Sequence, residues 1–234
     1  MINKEEMENL IEQYGLDIDS NAVSRFDVFS ALLVSWNEKM NLTAITQPDE
    51  IVIKHFMDCL MILNYVDIEK GAKCVDVGCG AGFPGLPLLI ASPGIEMTFN
   101  DALKKRLGFI ERVLKKCGLD AQLVHARAEV LGRDEQYRET FDYATARAVA
   151  PMNVLCEYCL PLVKVGGRFI AMKGPDDDLT PALDAVRELG GEVEHNVSYK
   201  LPNGDSRTLI VIKKISQTPT QYPRNTKKIT TKPL

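Results

Sequence analysis

A ten-residue stretch, DVGCGAGFPG from Asp76 to Gly85, has the composition of a ligand-binding loop. Gly80, Gly82 and Gly85 spell G-x-G-x-x-G, a pattern that lets the backbone approach the phosphates of a dinucleotide. In dinucleotide-binding loops the first glycine directly follows a strand, whereas this match begins two residues late, after Asp76 and Gly78. A carboxylate at the strand end repels a pyrophosphate and suits a ligand that carries an ammonium and a sulfonium. The loop therefore favours S-adenosylmethionine over NAD, and a tight turn without a ligand is the remaining alternative.

Two further acids follow the next two predicted strands. Asp101 ends the second strand, where a carboxylate can accept hydrogen bonds from both ribose hydroxyls of an adenosine. Glu129 follows the third strand, and in methyltransferase sheets an acid at this point accepts a hydrogen bond from the adenine amine. The alternative role of Glu129 is to stabilise the start of a helix. The D-x-G-x-G order of Asp76, Gly78 and Gly80 is the usual loop of class I methyltransferases. We therefore predict that these five residues bind S-adenosylmethionine.

The segment 145–151, after the fourth predicted strand, usually faces the methyl acceptor in such enzymes. It lacks the Asn/Asp-Pro-Pro-aromatic motif that holds an exocyclic base amine, and it lacks the cysteine nucleophile that pyrimidine C5 methylation needs. Guanine N7 needs neither device, because its lone pair is free at neutral pH and the protein only has to align it with the methyl group. Arg147 can orient guanine O6 or a phosphate with its planar donors, or it can pair with Asp76 or Glu129.

Strands and helices alternate from about residue 72 onward. The predicted strands are 73–77, 95–100, 121–125, 141–146, 167–172, 192–199 and 208–213, and the last two lie close enough in sequence to form an antiparallel pair. Because alternating strands and helices build parallel β-α-β units, we predict an α/β fold: a doubly wound, Rossmann-like sheet of the class I methyltransferase type, mostly parallel with an antiparallel last strand. Ligands of such sheets bind at the carboxyl ends of the strands, where the residues above are expected to lie.

Three regions are expected along the chain. Residues 1–66 are predicted to form an N-terminal helical extension, residues 67–214 the methyltransferase domain, and residues 215–234 a basic C-terminal tail packed on or near that domain. Ser20 is the predicted N-cap of a helix whose apolar residues recur at a spacing of three to four. Pro48 and Pro84 are each predicted at the first position of a helix.

Composition and charge limit the class of protein. The chain has 234 residues, of which 45% are hydrophobic and 26% charged, as is typical of a globular protein. Its net charge of −4 counts against a nucleic-acid binder, but the last 22 residues carry six basic residues and no acid. Such a tail can contact phosphates, or it can be a frayed, solvated end. No apolar run approaches the ~20 residues of a membrane span, the N-terminus is unlike a signal peptide, and the six cysteines are scattered. We therefore expect a cytoplasmic protein with reduced thiols, no membrane association and no metal site.

Several separate segments, in order, resemble one family across nearly the whole chain. They are WNEKMNLT at 36–43, HFMDCL at 55–60, the glycine loop at 76–85, ARAV at 146–149, MKG at 172–174 and YPR at 222–224 followed by KPL at 232–234. The chain resembles the bacterial 16S rRNA guanine-N7 methyltransferases, also called glucose-inhibited division protein B. The resemblance implies N7 methylation of one guanosine near the decoding region of 16S rRNA, with naked rRNA or the 30S subunit as substrate, and we expect a monomer.

The resemblance also implies site residues. By matching motifs it places cofactor contacts on Gly78, Phe83, the Ala128–Glu129 pair and Arg147, with Asp101 at the ribose. The predicted RNA contacts are Lys173, which ends the fifth strand and otherwise faces solvent, and Arg224 of the basic tail. No catalytic base is predicted. The alternatives are a methyltransferase of another RNA, a protein or a small molecule, or a non-catalytic RNA- or cofactor-binding protein.

The matching segments contain further polar residues. Asn37 and Asn41 are four residues apart at a predicted helix end and can fix the following turn. His55 and Asp58 lie on one helix face and can hydrogen-bond, as an orienting pair near the cofactor or as a buried structural pair. Tyr222 can stack on a base or anchor the tail.

Overall fold

Within residues 1–175 and 178–234, which the computed structural model describes, seven strands form one sheet. The strands are β1 (Lys73–Val77), β2 (Glu96–Asp101), β3 (Gln122–His125), β4 (Phe141–Arg147), β5 (Val163–Lys173), β6 (Gly191–Lys200) and β7 (Ser206–Lys214). They lie in the order β3-β2-β1-β4-β5-β7-β6. Neighbours among β1 to β5 are parallel, and β7 is antiparallel to both β5 and β6. The predicted fold class, including the antiparallel last strand, is confirmed.

The strand order reverses next to β1, which lies between β2 and β4. In an open α/β sheet, the crevice at the carboxyl ends of the strands beside such a switch point is the usual place for a ligand. The predicted strands agree with the observed ones to within two residues at each end, except that β5 begins at Val163 rather than at residue 167. The reason is that Val163 pairs with Phe141 ahead of a register shift, at which β5 carries the extra residues between Val163 and Arg168.

Helices cover both faces of the sheet. They are α1 (Lys4–Gln13), α2 (Ala22–Met40), α3 (Pro48–Ile51), α4 (Asp58–Leu60), α5 (Gly85–Ala91), α6 (Lys104–Cys117), α7 (Ala128–Leu131), α8 (Met152–Cys159), α9 (Leu183–Glu188) and α10 (Thr226–Thr231). A π-helical stretch, Val52–Met57, joins α3 to α4, and 3-10 turns span Met61–Asn64, Leu160–Leu162 and Thr180–Ala182. In the described part of the chain, none of these helices has the length and apolar character needed to cross a membrane.

Local hydrogen bonds decide where the N-terminal helices begin. The prediction that Ser20 caps α2 is wrong, because Asn21 occupies the N-cap position. The carboxylate of Asp19 accepts the N–H of Asn21 at 2.9 Å, so an acid one residue earlier organises this helix start. The prediction that Pro48 begins a helix is confirmed by α3.

The N-terminal helices share a hydrophobic core with the glycine loop. On one face of the sheet, residues of α1 to α4 pack into the same cluster as α5 and α6. The ring of Phe29 lies 5.3 Å from Phe56, 5.2 Å from Phe83 and 6.2 Å from Phe109, measured between centroids. The helical extension is therefore packed directly behind the loop, and α8 and α9 cover the opposite face of the sheet.

Two arginines hold the C-terminal tail against the domain. Arg138 donates hydrogen bonds to the carbonyls of Thr218 at 2.7 Å and Tyr222 at 2.8 Å, and Arg133 donates to the carbonyl of Pro223 at 2.6 Å. Guanidinium groups offer five donors in a planar fork, which suits such carbonyl-rich segments. The chain from residue 218 to residue 223 is therefore ordered along the surface.

Candidate cofactor site

A cavity of about 550 Å³ opens at the carboxyl ends of β1, β2, β3 and β4. Its lining includes these predicted cofactor residues: Gly78, Gly80, Phe83, Asp101, Ala128, Glu129 and Arg147. The N-terminal region contributes Leu42, Thr43 and His55. The volume is in the range of small-molecule sites. The fold thus brings together residues that are far apart in the sequence, in the crevice where such sheets bind ligands.

Asp76 lies beneath the loop and not in the cavity lining, which corrects the prediction of a direct cofactor contact. Its buried carboxylate accepts the N–H of Gly85 at 2.9 Å and the hydroxyl of Thr145 at 3.2 Å. Burial raises the pKa of Asp76 to about 7, although these hydrogen bonds and Arg147 act in the opposite direction. Because Asp76 satisfies the first amide of α5, that helix begins at Gly85, and Pro84 is its N-cap rather than its predicted first residue. Asp76 therefore supports the loop from below.

Asp101 organises the opposite side of the loop. Its carboxylate accepts the N–H of Gly80 at 3.0 Å and of Leu103 at 2.8 Å, and Arg106 approaches it at 3.4 Å. A carboxylate has about four lone-pair positions, so one remains, and the half-exposed Arg106 can release another. The group can therefore accept hydrogen bonds from a ribose diol while it holds the loop.

Gly78 has a conformation and a neighbour that both require glycine. Its φ of 65° lies in the left-handed region. A Cβ at this position would lie 3.0 Å from a methyl group of Val149, another residue of the cavity lining. The loop after β1 thus packs closely against the segment after β4.

Glu129 is held by the C-terminal tail. It lies in the first turn of α7 with 7% of its surface exposed, and the hydroxyl of Thr226 donates a hydrogen bond to its carboxylate. The two residues are 97 positions apart. Nothing in the spacing around Thr226 indicates this contact, through which the tail holds a residue of the cavity lining from an adjoining surface cleft.

Arg147 lies at the centre of a polar network. Its guanidinium carbon is 4.5 Å from the centroid of the Phe83 ring, a cation–π contact. Its Nη2 donates to Nδ1 of His55 at 3.0 Å, and its Nη1 approaches Oδ2 of Asp58 and the carbonyl of Lys54 at 3.4 Å each. The alternative prediction of a pair with Asp76 or Glu129 is therefore wrong, since the carboxylate partner is Asp58. Two of the five guanidinium N–H groups are left over from these contacts.

His55 is a neutral, fully engaged side chain. Its ring stacks on Phe83 at 4.4 Å, and its Nε2 lies 2.8 Å from Oγ1 of Thr43. Burial and the positive charge of Arg147 lower the pKa of His55 to about 3. Because a guanidinium can only donate, Nδ1 is the acceptor from Arg147, and Nε2 carries the proton and donates it to Thr43. Thr43 also accepts the N–H of Ile45 at 3.0 Å, so both of its lone pairs are used and its own proton remains free to donate.

Asp58 has a second partner from the far end of the sheet. The hydroxyl of Tyr199 donates to its Oδ1 at 2.7 Å. Burial raises the pKa of Asp58, and Arg147 and Tyr199 oppose that rise. Within the described residues, His55 and Asp58 make no direct hydrogen bond, contrary to one prediction, because Arg147 lies between them. His55 and Asp58 nevertheless act together, because both accept hydrogen bonds from the guanidinium of Arg147.

The turn after α2 positions Thr43 at the cavity. Asn41 ends the helix in the left-handed conformation with φ of 48°, and its N–H donates to the carbonyl of Asn37 at 3.2 Å. The side-chain oxygen of Asn37 accepts the N–H of Thr43 at 2.8 Å. The predicted role of both asparagines in turn formation is confirmed.

Comparison with known proteins identifies the chain. The family GidB, described as rRNA small subunit methyltransferase G, matches residues 22–202. The proteins named ribosomal RNA small subunit methyltransferase G from Caldanaerobacter subterraneus subsp. tengcongensis and from Alkaliphilus oremlandii are 48% and 46% identical to it; each comparison covers 94% of this chain and 93% of the relative. The chain belongs to this family. A SAM-dependent O-methyltransferase from Thermotoga maritima has the same fold, with a TM-score of 0.54, 17% identity and coverage of 80% of this chain and 72% of that one.

The predictions of a methyltransferase of this family and of S-adenosylmethionine as its cofactor are thereby confirmed. The cavity fits that cofactor by its chemistry. Asp101 offers acceptors to a ribose diol, Glu129 offers acceptors to an amine, and Phe83 presents an aromatic face. In the GidB family chain, the residues expected to hold the cofactor are thus Gly78, Gly80, Phe83, Asp101, Ala128, Glu129 and Arg147.

The two residues predicted to contact RNA have partners inside the chain. Lys173 donates to the carbonyl of Ala150 at 3.2 Å at the same edge of the sheet as the cavity. The prediction for Arg224 is corrected: its guanidinium forms a bidentate pair with the fully buried carboxylate of Glu157, at 2.6 to 3.1 Å, and is only 12% exposed. Tyr222 is buried, so it anchors the tail and does not offer its ring to a base.

Proposed function

We propose that this chain transfers a methyl group from S-adenosylmethionine to N7 of one guanine in 16S rRNA of the small ribosomal subunit. The observation that carries the proposal is the spare hydrogen-bond donor capacity of two residues that line the cavity, namely the free proton of Thr43 and the remaining N–H groups of Arg147. The N7 edge of guanine presents two acceptors, N7 and O6, whereas that edge of adenine presents an acceptor and a donor. The donors of Thr43 and Arg147 therefore favour guanine.

The second support is that the acid and base groups near this face are already engaged. His55 uses both ring nitrogens, Asp101 holds loop amides, and Glu129 accepts from Thr226. Guanine N7 needs no deprotonation, so a site without a free base suits it. When bound, the cofactor supplies an electrophilic methyl group on a sulfonium. The protein contributes orientation, which can account for much of the barrier reduction in such a reaction.

The form of the substrate and the state of the enzyme follow as further parts of the proposal. We expect the 30S subunit or its 16S rRNA as substrate, a monomeric enzyme and a cytoplasmic location. We also propose the division into residues 1–66, 67–214 and 215–234, in which the first region lines part of the cavity of the central domain and the last region holds Glu129 of that cavity. Thr43 and His55 on one side and Thr226 on the other support this division.

The test is to map the methylated atom. Purified protein and cofactor labelled in the methyl group are incubated with 30S subunits, and separately with 16S rRNA, from a strain that lacks the enzyme. We expect label at one guanosine, where N7 methylation permits reductive strand scission, and we expect Asp101→Ala to abolish it at limiting cofactor. Label at another base atom, or in a protein or small molecule, would overturn the proposal.

A further inference from the structure

A groove lies beside the cofactor cavity, between the end of α2 and the start of α6. This Trp36 groove is lined by Ser35, Trp36, Lys39, Met40, Lys105 and Gly108 and has a volume of about 600 Å³. Both of its walls continue into the cavity, because Leu42 and Thr43 follow α2, and Leu103 and Arg106 flank Lys105. A polymer with one unit in the cavity can therefore place a neighbouring unit in the groove.

Gly108 keeps this groove open. It lies in the interior of α6, where glycine destabilises a helix relative to alanine. A Cβ at this position would meet nothing within 4 Å, so no neighbour in the described chain requires the missing side chain. The space is therefore available to a molecule outside the chain.

The groove is positively charged. Lys39 and Lys105 are both exposed, and the lining contains no acid among the residues that the structure describes. The first turn of α6 carries Lys104, Lys105 and Arg106 without an acid, although cations at a helix N-terminus oppose the helix dipole. Helix α6 thus has two unfavourable features close together, a glycine in its interior and cations in its first turn. Such departures from local preference are expected at functional sites. The charge suits a phosphate.

Trp36 gives the groove an aromatic surface. It is the single tryptophan of the chain and is partly buried, with its ring 5.6 Å from that of Phe109. Met40 lies beside it in the lining. Proteins bind unpaired RNA by stacking bases on aromatic side chains next to cations that hold the backbone.

We propose that the Trp36 groove binds a nucleotide of the rRNA that flanks the methylated guanosine. Its base stacks on Trp36 and Met40, and its phosphate is held by Lys39 and Lys105. This inference rests on the proposed function, since it requires an RNA whose target base lies in the cavity. It also gives a protein of net negative charge a local basic surface for RNA, because Lys39 and Lys105 are exposed beside the site.

The first experiment fills the groove without disturbing the fold. In Gly108→Leu, the new side chain occupies the space for the base while the helix becomes more stable. We expect the KM for 30S subunits to rise about tenfold or more, with an unchanged Kd for the cofactor and an unfolding midpoint equal to or above that of the wild type. An unchanged KM would overturn the proposal.

The second experiment uses the fluorescence of Trp36, which reports on this groove alone because the chain has no other tryptophan. An rRNA fragment that contains the target region is titrated into the wild type and into Gly108→Leu. We expect stacking to quench the wild-type emission and Gly108→Leu to lose that quenching. No quenching in the wild type would place the RNA elsewhere, and equal quenching in both proteins would show that the base does not occupy the space beside Gly108; either result would overturn the proposal.

The third experiment compares two charge changes of equal size. Lys39→Ala with Lys105→Ala removes the two proposed phosphate contacts, and Lys115→Ala with Lys116→Ala removes two exposed lysines from the other end of α6. We expect the slope of log Kd for the rRNA fragment against log salt to fall by about 1.4 in the first variant, from about 0.7 per contact with a single strand, and to stay unchanged in the second. Equal slopes would contradict the proposal.

These outcomes separate this inference from the proposed function. If the wild type fails to methylate guanine N7 in 30S subunits, the proposed function fails. If it does so while the Gly108→Leu variant matches it in KM and in quenching, only the groove proposal fails. If Gly108→Leu raises the KM for 30S but not the Kd for the rRNA fragment, the groove binds a protein of the subunit, and the RNA proposal is likewise overturned.

Discussion

The hydroxyl of Thr226, in the last helix of the chain, donates a hydrogen bond to the carboxylate of Glu129 at the cofactor cavity. This contact links the C-terminal tail to the cofactor cavity, because Glu129 has 7% of its surface exposed and Thr226 holds its carboxylate from the adjoining surface cleft. The side chain of Asn225 caps α10 by accepting the N–H of Lys228 at 3.0 Å, which fixes the position of Thr226. Cofactor affinity should therefore depend on the tail.

Replacing the Thr226 hydroxyl tests that dependence. Thr226→Val leaves Glu129 free to rotate, and we expect the Kd for S-adenosylmethionine to rise about tenfold or more, since a hydrogen bond to a charged group contributes about 1.5–3 kcal/mol. Calorimetric titration measures it. Thr226→Ser keeps the hydroxyl and should bind like the wild type, as should Thr230→Val, which alters an exposed threonine of the same helix. Equal Kd values for Thr226→Val and Thr226→Ser would refute a role for the hydroxyl.

The ion pair between Arg224 and Glu157 should make a large contribution to stability. Glu157 is fully buried, and Arg224→Met removes its counter-charge and the guanidinium hydrogen bonds, leaving only the backbone N–H of residue 224, among the described residues, as a donor to it. We expect a loss of about 3–5 kcal/mol in the free energy of unfolding, measured by urea titration, since a buried carboxylate would remain unpaired. The double variant Glu157→Leu with Arg224→Met should recover most of that loss.

An exposed ion pair provides the control for this prediction. Arg187 and Asp184 are 75% and 85% exposed, so Arg187→Met should change the free energy of unfolding by less than about 0.5 kcal/mol. If the Arg224 and Arg187 variants lose similar, small amounts, burial of the Glu157 pair does not stabilise the tail.

Local sequence patterns predict the sheet and the loop, but not the side chains that meet across it. The strands and the glycine loop follow from residue types within ten positions of one another, and the fold rules then bring Gly78, Asp101 and Glu129 to one edge. Tyr199 reaches Asp58 across 141 positions, and no periodicity marks such a contact. Likewise, no sequence pattern marks the contact of Thr226 with Glu129.

Among the predictions that failed, those for Asp76 and Arg224 did so because one local pattern has two structural outcomes. The sequence around an acid at a strand end, such as Asp76, is the same whether its side chain faces the ligand or accepts amide N–H groups beneath the loop. The burial of Asp76 shows that it does the second. A basic residue in a charged tail, such as Arg224, is predicted from sequence to be exposed to solvent. In the folded chain it pairs with a buried acid, Glu157. Both outcomes depend on tertiary packing.

Asp76 should make stability depend on pH in a defined direction. Its pKa of about 7 in the folded chain exceeds the unfolded value near 3.9, so between these values the native state binds more protons than the unfolded state. Its contribution to the free energy of unfolding is therefore present below about pH 4 and is lost as pH rises to about 7. Asp76→Asn does not titrate, so its stability relative to the wild type should rise on the order of 1 kcal/mol per pH unit over that window and level off above it. Urea titrations of both proteins without cofactor, from pH 4 to 8, measure this difference, and a difference independent of pH would contradict it.

Thr43 should control the reaction through its hydroxyl proton. His55 and Ile45 occupy both lone pairs of that hydroxyl, so it can only donate, and guanine O6 can only accept. In Thr43→Val the donor is lost and His55 keeps an unpaired N–H, whereas Thr43→Ser retains both hydrogen bonds. We expect the single-turnover rate on 30S subunits at saturating cofactor to fall about tenfold or more in Thr43→Val, with the cofactor Kd within threefold of the wild type, and Thr43→Ser to restore most of the rate. A rate loss that is equal in both variants, or one that disappears when the cofactor concentration is raised, would show that Thr43 does not orient the guanine.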